Sequence, residues 1–325
     1  MGGAANLQEL RTRKELLIDL LQEDAEDVEP PPDDAPKHWS EKEIRAYFAS
    51  EGSKVPAPPK LEQWVTARSP PEGDPAVRLL CFHHAGGNSV FFKEWITKQL
   101  FPSHFDIIAV ELPGRRETTS KDYHVRMRPL AEELAEVLTP VLDGGDKPFI
   151  FFGHSLGALV SFELTRELRR QGRRLPSHLV MSCRVPPQVS LEELDIPELH
   201  QIEDDDAFVD AMVEHYQNPD LKRVTAMGGD IKEGAIRPLK ADMELFETYV
   251  PCEKEEPFPV SITAYAGKLD AANPVKACKR WQEHTTGSFV FKVYEGGHFF
   301  WRPSAAQLVA DIVTEVDLKI ASGTL

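Results

Sequence analysis

Two hydrophobic periods alternate along the chain from about residue 77. Short runs of consecutive apolar residues, many β-branched or aromatic, predict strands at Arg78–Phe82, Phe105–Val110, Phe149–Phe152, His178–Cys183, Ser261–Ala266 and Phe289–Tyr294. Between them, apolar residues recur every three or four positions and predict helices at Phe91–Leu100, Met127–Leu142, Leu156–Gln171, Val275–His284 and Ala305–Leu318. Strands that are apolar nearly throughout are buried on both faces. The alternation therefore predicts an α/β fold, a mainly parallel twisted sheet with helices on both faces. Residues 186–259 break the pattern. Their amphipathic stretches, Asp204–Tyr216 and Leu239–Tyr249, predict a helical lid insertion.

Residues 1–75 read differently and are expected to form an N-terminal extension, with the main domain over 76–325. The extension holds 16 acidic and 9 basic residues, a net −7. Asn6 and Glu9 form a capping pattern ahead of Leu7, Leu10, Leu17, Leu20 and Leu21, which predicts a first short helix. Residues 23–34 carry seven acidic and no basic side chains around Pro30-Pro31-Pro32, the composition of a solvated linker. Ser40-Glu41-Lys42-Glu43 opens a second short helix, and Pro56, Pro58 and Pro59 mark a second linker.

The bulk numbers narrow the function classes. Across 325 residues the net charge is −16, which argues against non-specific binding to nucleic acid or anionic membrane. Four cysteines (Cys81, Cys183, Cys252, Cys278) lie far apart, without metal-ligand spacing. Cys81 and Cys183 fall in apolar strands, so buried free thiols and a reducing, cytoplasmic setting are expected. No apolar stretch is long enough for a membrane span, and the first residues lack a signal-peptide core. Met1-Gly2-Gly3 opens like a myristoylation signal, but position 6 is Asn rather than Ser or Thr. No cofactor or metal is expected.

Candidate chemistry centres on Gly153-His154-Ser155-Leu156-Gly157. The motif follows a predicted strand and precedes a predicted helix, the context of a nucleophile elbow. A serine hydroxyl needs a base, and the base needs an orienting carboxylate. Asp270 and His298 each follow a predicted strand and come after Ser155 in the chain order Ser, Asp, His. Carboxyl ends of parallel strands are where open sheets place ligands. The tetrahedral oxyanion needs two N–H donors. The amide of Leu156 and an amide of the loop His84-Ala85-Gly86-Gly87, that of Ala85, are the candidates. His83 and His84 are placed to line the site, and His154 to pack beneath the elbow. Phe208, Met212, Val213, Tyr216, Met243 and Phe246 are candidates for an apolar substrate pocket, with plain packing of lid helices as the other reading.

These residues together resemble the type II thioesterases of polyketide and non-ribosomal peptide synthesis, members of the α/β-hydrolase superfamily. The resemblance rests on Leu80-Cys81-Phe82-His83-His84-Ala85-Gly86-Gly87, Glu111-Leu112-Pro113-Gly114-Arg115, the elbow, Leu239-Lys240-Ala241-Asp242-Met243-Glu244-Leu245, Gly267 to Asp270, and Gly296-Gly297-His298-Phe299-Phe300. It implies an α/β-hydrolase fold, a Ser155–Asp270–His298 triad, and release of acyl or peptidyl chains from the phosphopantetheine arm of an acyl carrier protein. The chain departs from the family in having His83 where proline is common, and in its first 75 residues. An acidic carrier needs a basic docking face; Arg115 with Arg116, or Arg166, Arg169, Arg170, Arg173 and Arg174, could supply it, although the second group also suits a helix C-terminus. Two other readings stay open: a carboxylesterase or lipase acting on oxygen esters, and a non-catalytic binding protein on the same fold.

Overall fold

The structure, a computed structural model, describes residues 61–69, 73–115, 123–251 and 256–325. The two helices and linkers expected within residues 1–59, together with Arg116 and Cys252, lie outside the described residues. The elements run α1 (Leu61–Trp64), β1 (Val65–Arg68), β2 (Val77–Phe82), α2 (Val90–Thr97), β3 (Phe105–Val110), α3 (Met127–Val137), α4 (Thr139–Leu142), β4 (Phe149–His154), α5 (Leu156–Arg170) and β5 (His178–Ser182). They continue with α6 (Asp205–Tyr216), α7 (Pro219–Thr225), α8 (Gly229–Glu247), β6 (Ser261–Gly267), α9 (Val275–Cys278), a 3₁₀ turn (Lys279–His284), β7 (Phe289–Tyr294) and α10 (Ala305–Ser322).

One seven-stranded sheet has the order β1-β3-β2-β4-β5-β6-β7. All neighbours are parallel except β1, which runs antiparallel to β3. Successive side chains of each strand serve opposite faces. Leu80, Phe82, Ile108 and Phe151 pack with Leu130 and Leu134 of α3 and Leu159 and Phe162 of α5. Leu79, Cys81, Ile107 and Phe152 pack on the other face with Phe92 and Trp95 of α2 and Leu308 and Ile312 of α10. Each such side chain contributes roughly 1.5–3 kcal/mol by leaving water. This two-sided burial is why the strands read as unbroken apolar runs. Cys81 and Cys183 are buried free thiols, as their strand context predicted.

The sheet also recruits Val65–Arg68, upstream of the first predicted strand. That segment is short, carries Thr66 and Arg68, and is only half-buried at a sheet edge, so it lacks the apolar run that marks a central strand. Glu111, fully buried, anchors it by accepting from Thr66 Oγ1 at 3.2 Å and from the Ser89 amide at 2.9 Å. The helix predicted over Met127–Leu142 divides at Leu138, because Pro140 has no N–H to continue the ladder. Between β5 and β6 stand three helices rather than two: α7 was not anticipated, and α8 begins ten residues before Leu239. Glycines at 228, 229 and 234 and Pro238 inside α8 hid its first half, since each is a breaker by local rules.

Candidate active site

Ser155 sits between β4 and α5 with φ 56° and ψ −119°, a conformation that L-residues avoid and that costs on the order of 1–3 kcal/mol. The turn is held by the Ser155 amide donating to the Ser182 carbonyl of β5 at 2.8 Å. The two glycines of the motif are required by space. A Cβ on Gly153 would lie 2.3 Å from the Gly157 carbonyl oxygen, and one on Gly157 would lie 2.2 Å from the Phe82 carbonyl oxygen. The helix can therefore cross the ends of β2 and β4 closely enough to lift the serine hydroxyl clear of the sheet.

Ser155 Oγ lies 3.0 Å from His298 Nε2, and His298 Nδ1 donates to Asp270 Oδ2 at 2.8 Å. Asp270 follows β6 and His298 follows β7. Their loops are stitched together by the Lys268 amide on the Tyr294 carbonyl (2.9 Å) and the Leu269 amide on the Gly296 carbonyl (2.8 Å). Burial disfavours charge on Asp270. The charge of His298 and hydrogen bonds from His298, the Cys183 thiol and the Asn273 amide outweigh that penalty and hold the carboxyl below the usual carboxylate range. The ionised carboxylate fixes the imidazole proton on Nδ1, which leaves Nε2 a lone pair for the serine proton. Cys183, Asp270 and His298 place potential ligand atoms within 4.8 Å of one another. Burial pushes the Cys183 thiol well above its ordinary pKa, so it stays protonated and donates to Asp270.

The loop between β2 and α2 runs over the elbow. Two of its amides are committed: Gly86 to Asp242 Oδ2 at 2.7 Å and Gly87 to the His84 carbonyl at 2.9 Å. Asp242, on α8, also accepts from Arg115, so the Pro-Gly-Arg segment, the loop and α8 meet at one buried carboxylate. His83 does not line the site as expected. It lies beneath the loop, with Nδ1 donating to the His84 carbonyl at 2.9 Å and Nε2 accepting from the Leu112 amide at 3.3 Å. Its ring thus does internal hydrogen bonding at the position where the resembled family commonly has proline. His154 packs beneath the elbow, its ring centroid 5.2 Å from that of His298 and its Nδ1 3.0 Å from Ser182 Oγ.

A cavity of about 690 Å³ opens beside Ser155, and His84, Ala85, Leu156, Met212, Tyr216, Met243, Phe246 and His298 line it. Phe208 does not reach it. Phe208, Met212 and Tyr216 share one stripe of α6, but Phe208 stands a turn further from the cavity, fully buried, with Lys240 Nζ 5.4 Å from its ring centroid. Val213 also packs against the core instead. Sequence reasoning missed Arg184, Leu221, Val224, Leu239 and Trp301 in the wall. Arg184 carried a usable signal, a charged residue just beyond the carboxyl end of a buried parallel strand. Arg115 is turned inward on Asp242 and presents no docking face. In the second arginine group, Arg166 pairs with Glu163, Arg170 with Glu167 and Arg173 with Asp143, while Arg169 and Arg174 donate to backbone carbonyls. Those arginines are tied into the helix end and its neighbours.

A strained serine after a central strand, a histidine on its hydroxyl and a carboxylate behind the histidine, all at the carboxyl edge of a mostly parallel sheet, are the parts of a serine hydrolase with the α/β-hydrolase fold. The chain belongs to the thioesterase domain family, whose sequence pattern matches residues 77–315. It is similar to thioesterase PikA5 of Streptomyces venezuelae, 30% identical over 251 residues that cover 77% of this chain and 84% of the relative. Among solved structures it resembles RedJ, a thioesterase from the prodiginine biosynthetic pathway of Streptomyces coelicolor (TM-score 0.67, 27% identity, covering 82% of this chain and 98% of RedJ). It also resembles BorB, the type II thioesterase of the borrelidin biosynthetic cluster (TM-score 0.61, 26% identity, 77% and 96% covered). Among the described residues, no helix is long and apolar enough to cross a membrane.

Proposed function

We propose that the protein hydrolyses acyl thioesters on the phosphopantetheine arm of a carrier protein, with Ser155 as nucleophile, His298 as general base and acid, and Asp270 as its orienting partner. The observation that carries this reading is the unbroken chain of contacts from Ser155 Oγ through His298 to Asp270, at 3.0 and 2.8 Å. Ser155 Oγ attacks the thioester carbonyl as His298 Nε2 takes its proton. The carbonyl π pair moves onto oxygen. The amides of Leu156, in the first turn of α5, and of Ala85, beside the committed amides of Gly86 and Gly87, are the donors aimed at that oxyanion. Collapse expels the pantetheine sulfur, which takes the proton from His298. Water then repeats the sequence on the acyl-serine and releases the carboxylic acid. A thiolate leaves more readily than an amine, so modest protonation help suffices. The helices α6–α8 serve as the lid, the cavity beneath them receives the acyl chain, and the enzyme works in the cytoplasm.

Ser155→Ala should lower kcat for an acyl-pantetheine by at least about a thousandfold while leaving the melting temperature within a few degrees. Wild-type protein incubated with the thioester should yield an acyl adduct mass on the peptide containing Ser155. Undiminished turnover by the alanine variant overturns the assignment. A large preference for p-nitrophenyl esters of equal chain length transfers it to oxygen esters.

A further inference from the structure

Three buried donors on residues of the cavity wall have no hydrogen-bond partner among the described residues, Arg184 Nε, Tyr216 Oη and Trp301 Nε1, and Asn218 Oδ1 is an acceptor without one. Arg184 and Tyr216, the two that can reach the acyl chain together, are more than nine-tenths buried, at 7% and 8% exposure. Arg184 stands two residues beyond the end of β5, whose last residue, Ser182, accepts the amide of Ser155. Its backbone is pinned, because its carbonyl accepts from Trp281 Nε1 at 2.7 Å and the next amide, that of Val185, donates to Asn273 Oδ1 at 3.2 Å. The guanidinium lies over the Phe246 ring, 4.2 Å from its centroid. Stacking uses the flat face and leaves the in-plane N–H groups for another acceptor. The Tyr216 ring meets His298, with centroids 5.4 Å apart, so Tyr216 borders the reacting end of the cavity that Arg184 also lines.

No carboxylate bonds to Arg184 among the described residues. Asp270, whose charge acts on Arg184, is already engaged by His298 and Asn273. Glu247 is taken by His200 and by the amides of Leu199 and His200. Burial lowers the Arg184 pKa to about 10, against the influence of Tyr216, Cys278, Tyr249 and Asp270, and the group remains a cation at neutral pH. A buried cation and a buried hydroxyl without acceptors are costly to the fold, and sites that bind polar ligands tolerate that cost because the ligand supplies the acceptor.

Taking the thioesterase reading above as given, we infer that the acyl chain bound here carries an oxygen acceptor a few atoms from the thioester, held by Arg184 and Tyr216. Leu221, Val224, Leu239, Met243 and Phe246 set apolar wall beside these donors, while Asn88, Glu94, Asn218, Asp220 and Arg302 also line the cavity, so the site fits a carbon chain carrying an oxygen function rather than a plain saturated chain. A ketone or amide carbonyl and a carboxylate share this chemistry.

Three S-acyl-pantetheines of equal carbon number separate these possibilities: pentanoyl, 4-oxopentanoyl and glutaryl. The wild-type enzyme should show a kcat/KM at least about tenfold higher for one of the oxygenated chains than for pentanoyl. The preferred member identifies a neutral carbonyl or an anion. Arg184→Met should bring that ratio close to one. Tyr216→Phe, which removes one oxygen and little volume, should lower it severalfold and carries the test if Arg184→Met does not fold. Equal turnover of all three chains by the wild type, or an unchanged ratio in both variants, overturns the inference and leaves the thioesterase reading intact. Failure of the wild type to hydrolyse any of the three overturns the thioesterase reading itself.

Discussion

Ser155 holds a backbone conformation that its neighbours impose on it. Gly157 lets the first turn of α5 lie against the Phe82 carbonyl, and the Ser182 carbonyl fixes the serine amide. A methyl group at 157 has no free direction, since the contact it would make is with backbone. Gly157→Ala should therefore push the helix off the sheet, cost at least about 2–3 kcal/mol in urea unfolding, and abolish turnover together with stability. Asp270→Asn asks a different question of the same site. It keeps the shape but removes the charge that fixes the His298 tautomer. Turnover should fall about ten-thousandfold with the fold preserved, read as kcat against an unchanged near-ultraviolet circular dichroism spectrum.

Among the elements, α8 is coupled to the loop between β2 and α2 through Asp242. The carboxylate takes the Gly86 amide and the Arg115 guanidinium, and the two charged side chains lie out of water. Removing the acid alone leaves a buried arginine charge, so Asp242→Ala should cost about 3–5 kcal/mol in urea unfolding. Replacing both partners, Arg115→Met with Asp242→Leu, should recover much of that stability. The double variant should still be a poor catalyst, because the loop amide has lost its anchor. Stability and kcat measured on both proteins separate a structural ion pair from a positioning one. The edge strand β1 gives a second test. A chain beginning at residue 76 lacks β1 and the Thr66 contact to Glu111, and should melt below one beginning at residue 60.

For the molecule as a whole, four imidazoles besides that of His298 are buried in or beside the sheet among the described residues. Burial lowers the pKa of His83 and of His178 to about 3, and carries those of His84 and His154 well below the ordinary value. The unfolded chain protonates these rings near pH 6.5, and the folded protein does not. Stability is thus complete above that pH and falls as the pH drops toward 3, by about 1.4 kcal/mol per pH unit for each ring. Asp270 adds to the loss at the lower end. Its folded pKa is depressed, so its contribution is present above the unfolded carboxyl value and disappears as pH falls through the folded one. The melting temperature should be flat from pH 8 to about 7 and begin to fall near 6.5. A profile level down to pH 4.5 contradicts the neutral burial of these rings.

Local chemistry carried the six parallel strands and the elbow. An apolar run buried on both faces leaves its mark residue by residue, and the spacing of Gly153 and Gly157 reports a close crossing. The order of Ser155, Asp270 and His298 was likewise readable, because each follows a strand and parallel strands all end on one side. What the sequence by itself did not determine depends on neighbours distant along the chain. Phe208 and Met212 look alike in a helical stripe, and only the packing of α8 decides which one meets the cavity. His83 and His84 are adjacent and identical, yet the Leu112 amide and the His84 carbonyl claim one ring while the other lines the site. The inward turn of Arg115 and the unshared donors of Arg184 follow from where three separate segments converge, which no local pattern of side chains encodes.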